Sequence, residues 1–529
     1  MKIKKEPKDI WKEYEAAKSF NTGIDLYETV KQNEAFFIGD QWRGLNAPDL
    51  DKPVLNFLKR VVSYFVAMIV ADDIGIGITA ENMSKVETLD QYGETIEIDP
   101  AKVLEREVEK TIEKAKIAPL NREVLKDAAV DGDGCLYFRY DPETLGITAE
   151  LVDNTRILFG NPYIPEVQKQ PYLIIVRPVQ LASAKDMAEA NGKDADLIVS
   201  DYEAENEVGG NENDRDDRVT LLTKFWKKDG EVWYTTVTKD VVIEEPTNTK
   251  YGLYPISYMT WDRIKNRYHG QAAVTGLIPN QIAVNKLWAM ALRHASLNSF
   301  PKTLYDGTKI KSWNNSVGEA IKVNGSPTDV VTQIVRGGDM SAQVVEVVER
   351  TISMTRDFMG ASDAALGNVK PDNTSAIIAV QQASSAPLEL QRLAFYQFVE
   401  DYVRIIVDMI CKDYGIRTIH YADGEVTADV QIDFGLMNPK AMELQVDVGE
   451  SAYWSELTQL QTLDNLFGKG IITDAITYIE SVPDKHLRNK KNILAKLKEQ
   501  QEASMMQGAP MMPEANMMQE VPLNGMPGM

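Results

Sequence analysis

Apolar residues recur at steps of three and four through PVLNFLKRVVSYFVAMIV, where Leu55, Leu58, Val62, Phe65, Val66 and Ile69 make one face of a helix. The run that follows, IGIGIT, alternates like a strand. Upstream, residues 8–36 are charged and helix-compatible, and end in the aromatic, turn-rich stretch NEAFFIGDQWRG. Downstream, the pattern predicts a strongly charged helix from Pro100 to about Val130, broken or kinked by Pro119. Between Gly134 and Tyr258 the texture turns to short β-rich runs: CLYFRY, ITAELV, YLIIVRPV, VTLLTKFW, VWYTTVT and VVIEEP, separated by Asp-Gly, Asn-Pro and Asp-rich turns. Residues 201–218, DYEAENEVGGNENDRDDR, have almost no apolar content and read as a solvated loop.

The second half returns to helical spacing. A helix is predicted from about Gln271 to Ser299, stopped before Pro301, with Pro279 either kinking it or serving as its first residue. Residues 300–339 read as short strands and turns rich in Gly, Asn and Lys. A helix over Met340–Met359 leads into a small polar loop, GASDAALGNVKPDN (360–373), and a long helix follows over Thr374–Tyr414, bent at Pro387. RTIHYADGEVTADVQIDFG reads as a hairpin around Asp423-Gly424, and residues 451–500 as two or three helices with a basic end. From Ala503 the chain is dominated by Met, Pro and Gly, and disorder is expected there. Helices and strands in separate blocks, without a fixed repeat, predict an α+β fold.

Composition narrows the function. The 529 residues, 44% hydrophobic and 26% charged, leave room for about two to four soluble domains. A net charge of −22 argues against wrapping nucleic acid through a general basic surface, yet is compatible with an acidic wall past which DNA slides. Cys135 and Cys411 are the only cysteines, so free buried thiols and a reducing compartment are expected. No apolar segment follows the charged MKIKKEPKDIWKEY, and the longest apolar run, Val61–Ala71, is too short to cross a bilayer. Neither a signal peptide nor a membrane partner is expected.

Enzyme chemistry finds little support. Gly75-Ile-Gly-Ile-Thr-Ala80 matches a relaxed dinucleotide fingerprint, but a helix precedes it and its glycines lie inside an alternating run. Asp131-Gly-Asp-Gly134 begins like a calcium loop, then places Cys135 at a ligand position and Pro142 where the bidentate Glu belongs. His269, His294, His420 and His486 show no metal-ligand spacing, and neither a phosphate loop nor a nucleophile elbow is present. No catalytic residue, metal or cofactor is assigned. Two basic clusters stand out: Lys302, Lys309 and Lys311 with Trp313 between the helices, and a run from Lys485 to Lys498 that includes Arg488, Lys490 and Lys491. An exposed hairpin explains the first equally well, and a helix C-terminus whose dipole favours cations explains the second.

The order of blocks resembles the tailed-bacteriophage portal proteins, the head-to-tail connectors. The carriers are NEAFFIGDQWRG, NFLKRVVSYFVAMIV running into IGIGITA, YPISYMTWDRIKNRYHGQAAVTGLIPNQIAVNKLW, and ALGNVKPDNTSAIIAVQQASSAPLELQRLAFYQFVEDYVRII, together spanning most of residues 33–415. The resemblance implies a ring, commonly of twelve subunits, at one capsid vertex in the virion, assembled in the host cytoplasm. It implies an N-terminal segment and α/β wing over 1–270, stem helices at 271–299 and 340–359, and a small mixed clip at 300–339. A tunnel loop at 360–373, a long kinked helix with a wing return at 374–450, and a helical crown at 451–502 would follow, the 503–529 tail having no family role. The implied partners are further copies of the chain, double-stranded DNA held without sequence preference, the terminase large subunit, head-completion or adaptor proteins, and the major capsid or scaffold protein. Gly367, Asn368, Lys370, Asn373 and Thr374 are the candidates for the DNA channel, although Asn373 or Thr374 also suits a helix N-cap. The clip cluster would meet partners, and Arg488, Lys490 and Lys491 would form a basic patch on the crown. The alternatives are another ring-forming virion or adaptor protein, and a nucleotide-binding enzyme built on Gly75–Ala80.

Overall fold

The computed structural model describes residues 6–360, 386–448 and parts of 460–497, except 49, 71–73, 81–85, 90–94, 202–217, 300–301, 311–321, 327, 329–330, 336–341, 424–425 and 440–441. The chain divides into two compact units, Met1–Gly449 and Glu450–Met529.

The N-terminal segment forms two helices where one charged stretch was expected. These are α1 (Pro7–Gly23) and α2 (Leu26–Ile38), separated where Asp25 adopts a left-handed φ of 55°. Helix α3 (Phe57–Ile69) starts at the Asn56 cap, whose side chain accepts from the amide of Lys59 at 3.3 Å. Its buried stripe is wider than the pattern implied. Phe57, Val61 and Tyr64 join Leu58, Val62, Phe65 and Ile69, whereas Leu55 precedes the helix and is 37% exposed. The IGIGITA run is β1 (Ile74–Ala80), followed by a small hairpin, β2 (Val86–Leu89) and β3 (Thr95–Ile98). The charged helix breaks ahead of Pro119. Helix α4 (Pro100–Lys114) ends at Ala115, Lys116 turns with φ 53°, and Pro119 falls in the first turn of α5 (Ile117–Asp131), where its missing N–H costs nothing.

All the β-rich runs are strands, and among the described residues every strand pairing is antiparallel. β4 (Asp133–Asp141) pairs with β5 (Gly146–Leu151) and with β11 (Ile256–Thr260). A five-stranded sheet runs in the order β10 (Val242–Asn248), β9 (Glu231–Val237), β8 (Arg218–Lys228), β7 (Tyr172–Gln180) and β6 (Ile157–Phe159). Both faces of β8 are covered. Leu222 joins Ile10 of α1, Ile174 and Val237 on one side; Val219 and Leu221 pack with Ala184 and Ala188 of α6 (Leu181–Ala190) on the other. On the α1 side Lys224 is buried, its ammonium 2.5 Å from the carboxylate of Glu13.

Helix α7 spans Ala273–Ser299 and α8 spans Ala342–Phe358, with a two-stranded hairpin between them, β12 (Lys302–Tyr305) and β13 (Val331–Val335). Pro279 lies inside α7 on its exposed side. A turn of 3₁₀ helix, Ala386–Leu388, contains Pro387 and feeds the long helix Glu389–Asp413. That helix is buried along Phe395, Phe398, Tyr402, Ile406 and Ile410. The expected hairpin forms from β14 (Ile416–Asp423) and β15 (Val426–Asp433). β16 (Met442–Val448), which no sequence pattern announced, pairs with β1 in the register Ile74 to Val448 and Ala80 to Met442. Gly75 and Gly77 therefore sit mid-strand, opposite Asp447 and Gln445, and not in a strand-to-helix turn.

In the second unit residues 462–468 and Ala475–Ser481 are helical, and the rings of Phe467 and Tyr478 lie 4.7 Å apart. The Met-rich tail lies outside the described residues.

Candidate functional site

The helices α7 and α8 with the hairpin between them are the candidate functional site, and α7 is built from a fixed base. The base begins at the end of α5. Asp133, fully buried, accepts from the amide of Gly270 at 2.7 Å and contacts Nδ1 of buried His269 at 2.7 Å. Tyr268 packs on the imidazole at 3.9 Å, and the amide of Trp261 donates to the carbonyl of Gly132. The Asp-Gly-Asp-Gly segment is thus a helix-to-strand turn whose carboxylate holds the start of α7. Gly132 takes a φ of 103°, and a Cβ there would stand 2.8 Å from the carbonyl oxygen of Gly270.

Along α7, amides and hydroxyls on the buried side tie the helix down. Asn33 of α2 donates to Thr275 Oγ1 and to the carbonyl of Val130, both at 2.8 Å. Gln281 accepts from the amide of Phe57 at 3.3 Å and donates to the carbonyl of Leu55 at 2.8 Å. Asn285 accepts from the amide of Leu55 and donates to Gln41. These polar contacts alternate with Val274, Leu277, Ile278 and Val284, which are buried. Beyond Ala291 no residue of α7 whose side chain is described is buried. At 1.5 Å per residue α7 is about 40 Å long, so its far end stands well clear of its base.

Helix α8 returns antiparallel to α7. Asn280 near the base of α7 donates to Thr355 late in α8 at 3.0 Å. Val348 and Thr355 are buried, and Gly360, with φ 73°, ends the helix.

Of the residues proposed for the channel loop, the clip and the crown, the structure describes three. Lys302 is on β12. Lys309 lies in the turn that follows, its ammonium 3.7 Å from Asp306, whose carboxyl is held below its usual range by the hydroxyl and amide of Thr308. Lys490, in the second unit, donates to the carbonyl of Val482 at 2.7 Å, so its charge caps local backbone. Lys311, Trp313, Gly367, Asn368, Lys370, Asn373, Thr374, Arg488 and Lys491 lie outside the described residues, as does most of the 360–373 loop. Sequence reading weighed Asp133 and His269 only as metal ligands, and it missed Gln281 and Asn285. Polar residues at helical spacing in an apolar helix, here the i, i+4 pair Gln281 and Asn285, were the available signal.

A second feature is a run of acids where α2 meets α5. Asp127 is pushed up to about 7 by burial, with Asp153, Glu34 and Glu123 adding to the rise and Lys126 opposing it. Burial also raises Asp131, and Glu34, Asp127 and Asp153 raise it further. Cys135 and Cys411 are free and buried; burial pushes the Cys411 thiol up to about 12, leaving it unreactive. Among the described residues no group of His, Cys, Asp and Glu is arranged to hold a metal ion, and no helix is long and apolar enough to cross a membrane.

Comparison with known proteins adds one family. The family described as Phage P22-like portal protein matches residues 168–451, more than half of the chain, from just before β7 through β16. No curated protein matches.

Proposed function

This chain belongs to the family of P22-like phage portal proteins, structural components of the phage head, and from that premise we propose that it forms the ring-shaped channel at one capsid vertex through which double-stranded DNA enters and leaves. The carrying observation is the helix pair α7 and α8, rooted by Asp133, Gln281 and Asn285 and ending in a small hairpin. In this reading the pair is the stem lining the channel, residues 300–339 are the clip, and the sheets with α4, α5 and α6 are the wing. The loop at 360–373 lies at the narrowest part of the tunnel, and the 451–502 helices form the crown. Lys302, Lys309, Lys311 and Trp313 serve as a docking edge for the terminase large subunit during packaging and for head-completion proteins afterwards.

The mechanism is geometric. A ring of acidic chains presents little to hold phosphates, so duplex DNA slides, and short polar loops touch the backbone without reading bases. Lys370 with Asn368 and Asn373 supplies these contacts. Proheads assembled without the protein are expected to package no DNA, and packaging at normal yield would contradict the reading. Lys370→Ala is expected to lower DNA retention or packaging rate; wild-type values for both would remove that residue from the channel.

A further inference from the structure

The outward sides of α7 and α8 carry different chemistry. Helix α7 contains no acidic residue in a chain of net charge −22, and its exposed stripe runs Lys286, Met290, Arg293, Leu297 at helical spacing. The outward half of α8 carries Glu346, Glu349 and Asp357 on one flank and Val347, Met354 and Phe358 on the other, with Arg350 between them. Met290 is 61% exposed and Phe358 77%. Large apolar side chains so exposed on two neighbouring helices mark a protein contact and not a wetted wall. Among the described residues, no hydrogen bond or ion pair ties Lys286, Glu346 or Glu349 to another side chain.

We propose that these two surfaces are the two halves of one subunit contact, the basic and apolar stripe of α7 docking on the acidic and apolar side of α8 in the next copy of the chain. The proposal rests on the ring reading above. Two unlike patches that complement each other make a head-to-tail contact, which closes into a ring when the rotation allows. Height supports the pairing. Asn280 and Thr355 meet within one chain, and Lys286 follows Asn280 by as many residues as Glu349 precedes Thr355. A rotation about an axis running along the helices keeps each residue at its own height, so Lys286 of one copy meets Glu349 of the next. Met290 then reaches Glu346 and Val347 within about one helical turn. Duplex DNA fits this surface less well, because Glu346, Glu349 and Asp357 would repel phosphates.

The test is a charge swap in the full chain, read by native mass and negative-stain images, with circular dichroism to verify folding. K286E alone and E349K alone are each expected to lose the ring while remaining folded. The double variant K286E/E349K is expected to recover it. A one-to-one mixture of the two single variants is also expected to form rings, because alternating copies then place opposite charges across every contact. Rescue by the double variant without rescue by mixing would place the pair within one chain and overturn the proposal. Single variants that assemble normally would overturn it too, and with impaired packaging they would assign the stripe to DNA instead. Absence of rings in the unmodified protein would instead sink the ring reading itself.

Discussion

Asp127 shows how a single residue links burial to solution behaviour. Its carboxyl stands at about 7 in the fold against 3.8 for an ordinary aspartate, with burial as the main cause. A raised acid favours the folded state fully below pH 3.8 and loses that contribution as pH rises through 7. Unfolding free energy should therefore fall between about pH 4 and pH 7, and Asp127→Asn should flatten that slope; a urea titration series that leaves the slope unchanged would refute the assignment. Gly132 makes the complementary steric case. Its φ of 103° and the 2.8 Å approach of the Gly270 oxygen leave no room for a Cβ. Gly132→Ala should cost about 2–4 kcal/mol, from left-handed strain plus overpacking, seen as a lower urea midpoint at unchanged slope. From sequence, Asp127 was one more charge on a helix and Gly132 part of an Asp-Gly-Asp-Gly stretch, because neither the packing of Gly270 against Gly132 nor the acids of α2 are visible from local pattern.

At the scale of elements, α7 depends on amides that hydropathy ignores. Removing Gln281 leaves the amide of Phe57 and the carbonyl of Leu55, 2.8 Å apart, with only each other in a buried seam that the side-chain amide otherwise bridges. Gln281→Ala should cost about 1–3 kcal/mol and speed hydrogen exchange at the Phe57 amide; protection equal to wild type would show that α7 does not need this anchor. Local pattern located α3, α7, α8 and the strands β4, β5 and β7 to β10, but not the three-residue β6. It missed β16, whose partner β1 lies more than three hundred residues away in the chain and gives no local signal. It also placed the break in the charged helix at Pro119, whereas the chain turns at Lys116 and uses the proline to start α5. The buried Lys224 and Glu13 were equally hidden, since nothing near Lys224 in sequence shows that α1 crosses its strand.

For the whole molecule, the order of blocks was the legible part, and the family match over residues 168–451 agrees with the resemblance drawn from it. The channel loop and most of the basic residues assigned from that resemblance fall outside the described residues, so their roles rest on the family reading and on mutation. The central claim concerns many copies at once. Each chain exposes a helix pair with unlike outward sides, an arrangement that a ring satisfies. The most direct test is imaging of the purified protein, with its assembled mass measured on the same sample. A closed ring with an axial channel is predicted, its mass a whole multiple of the 59.3 kDa chain. A strictly monomeric particle, or a ring with no opening on its axis, would contradict the account.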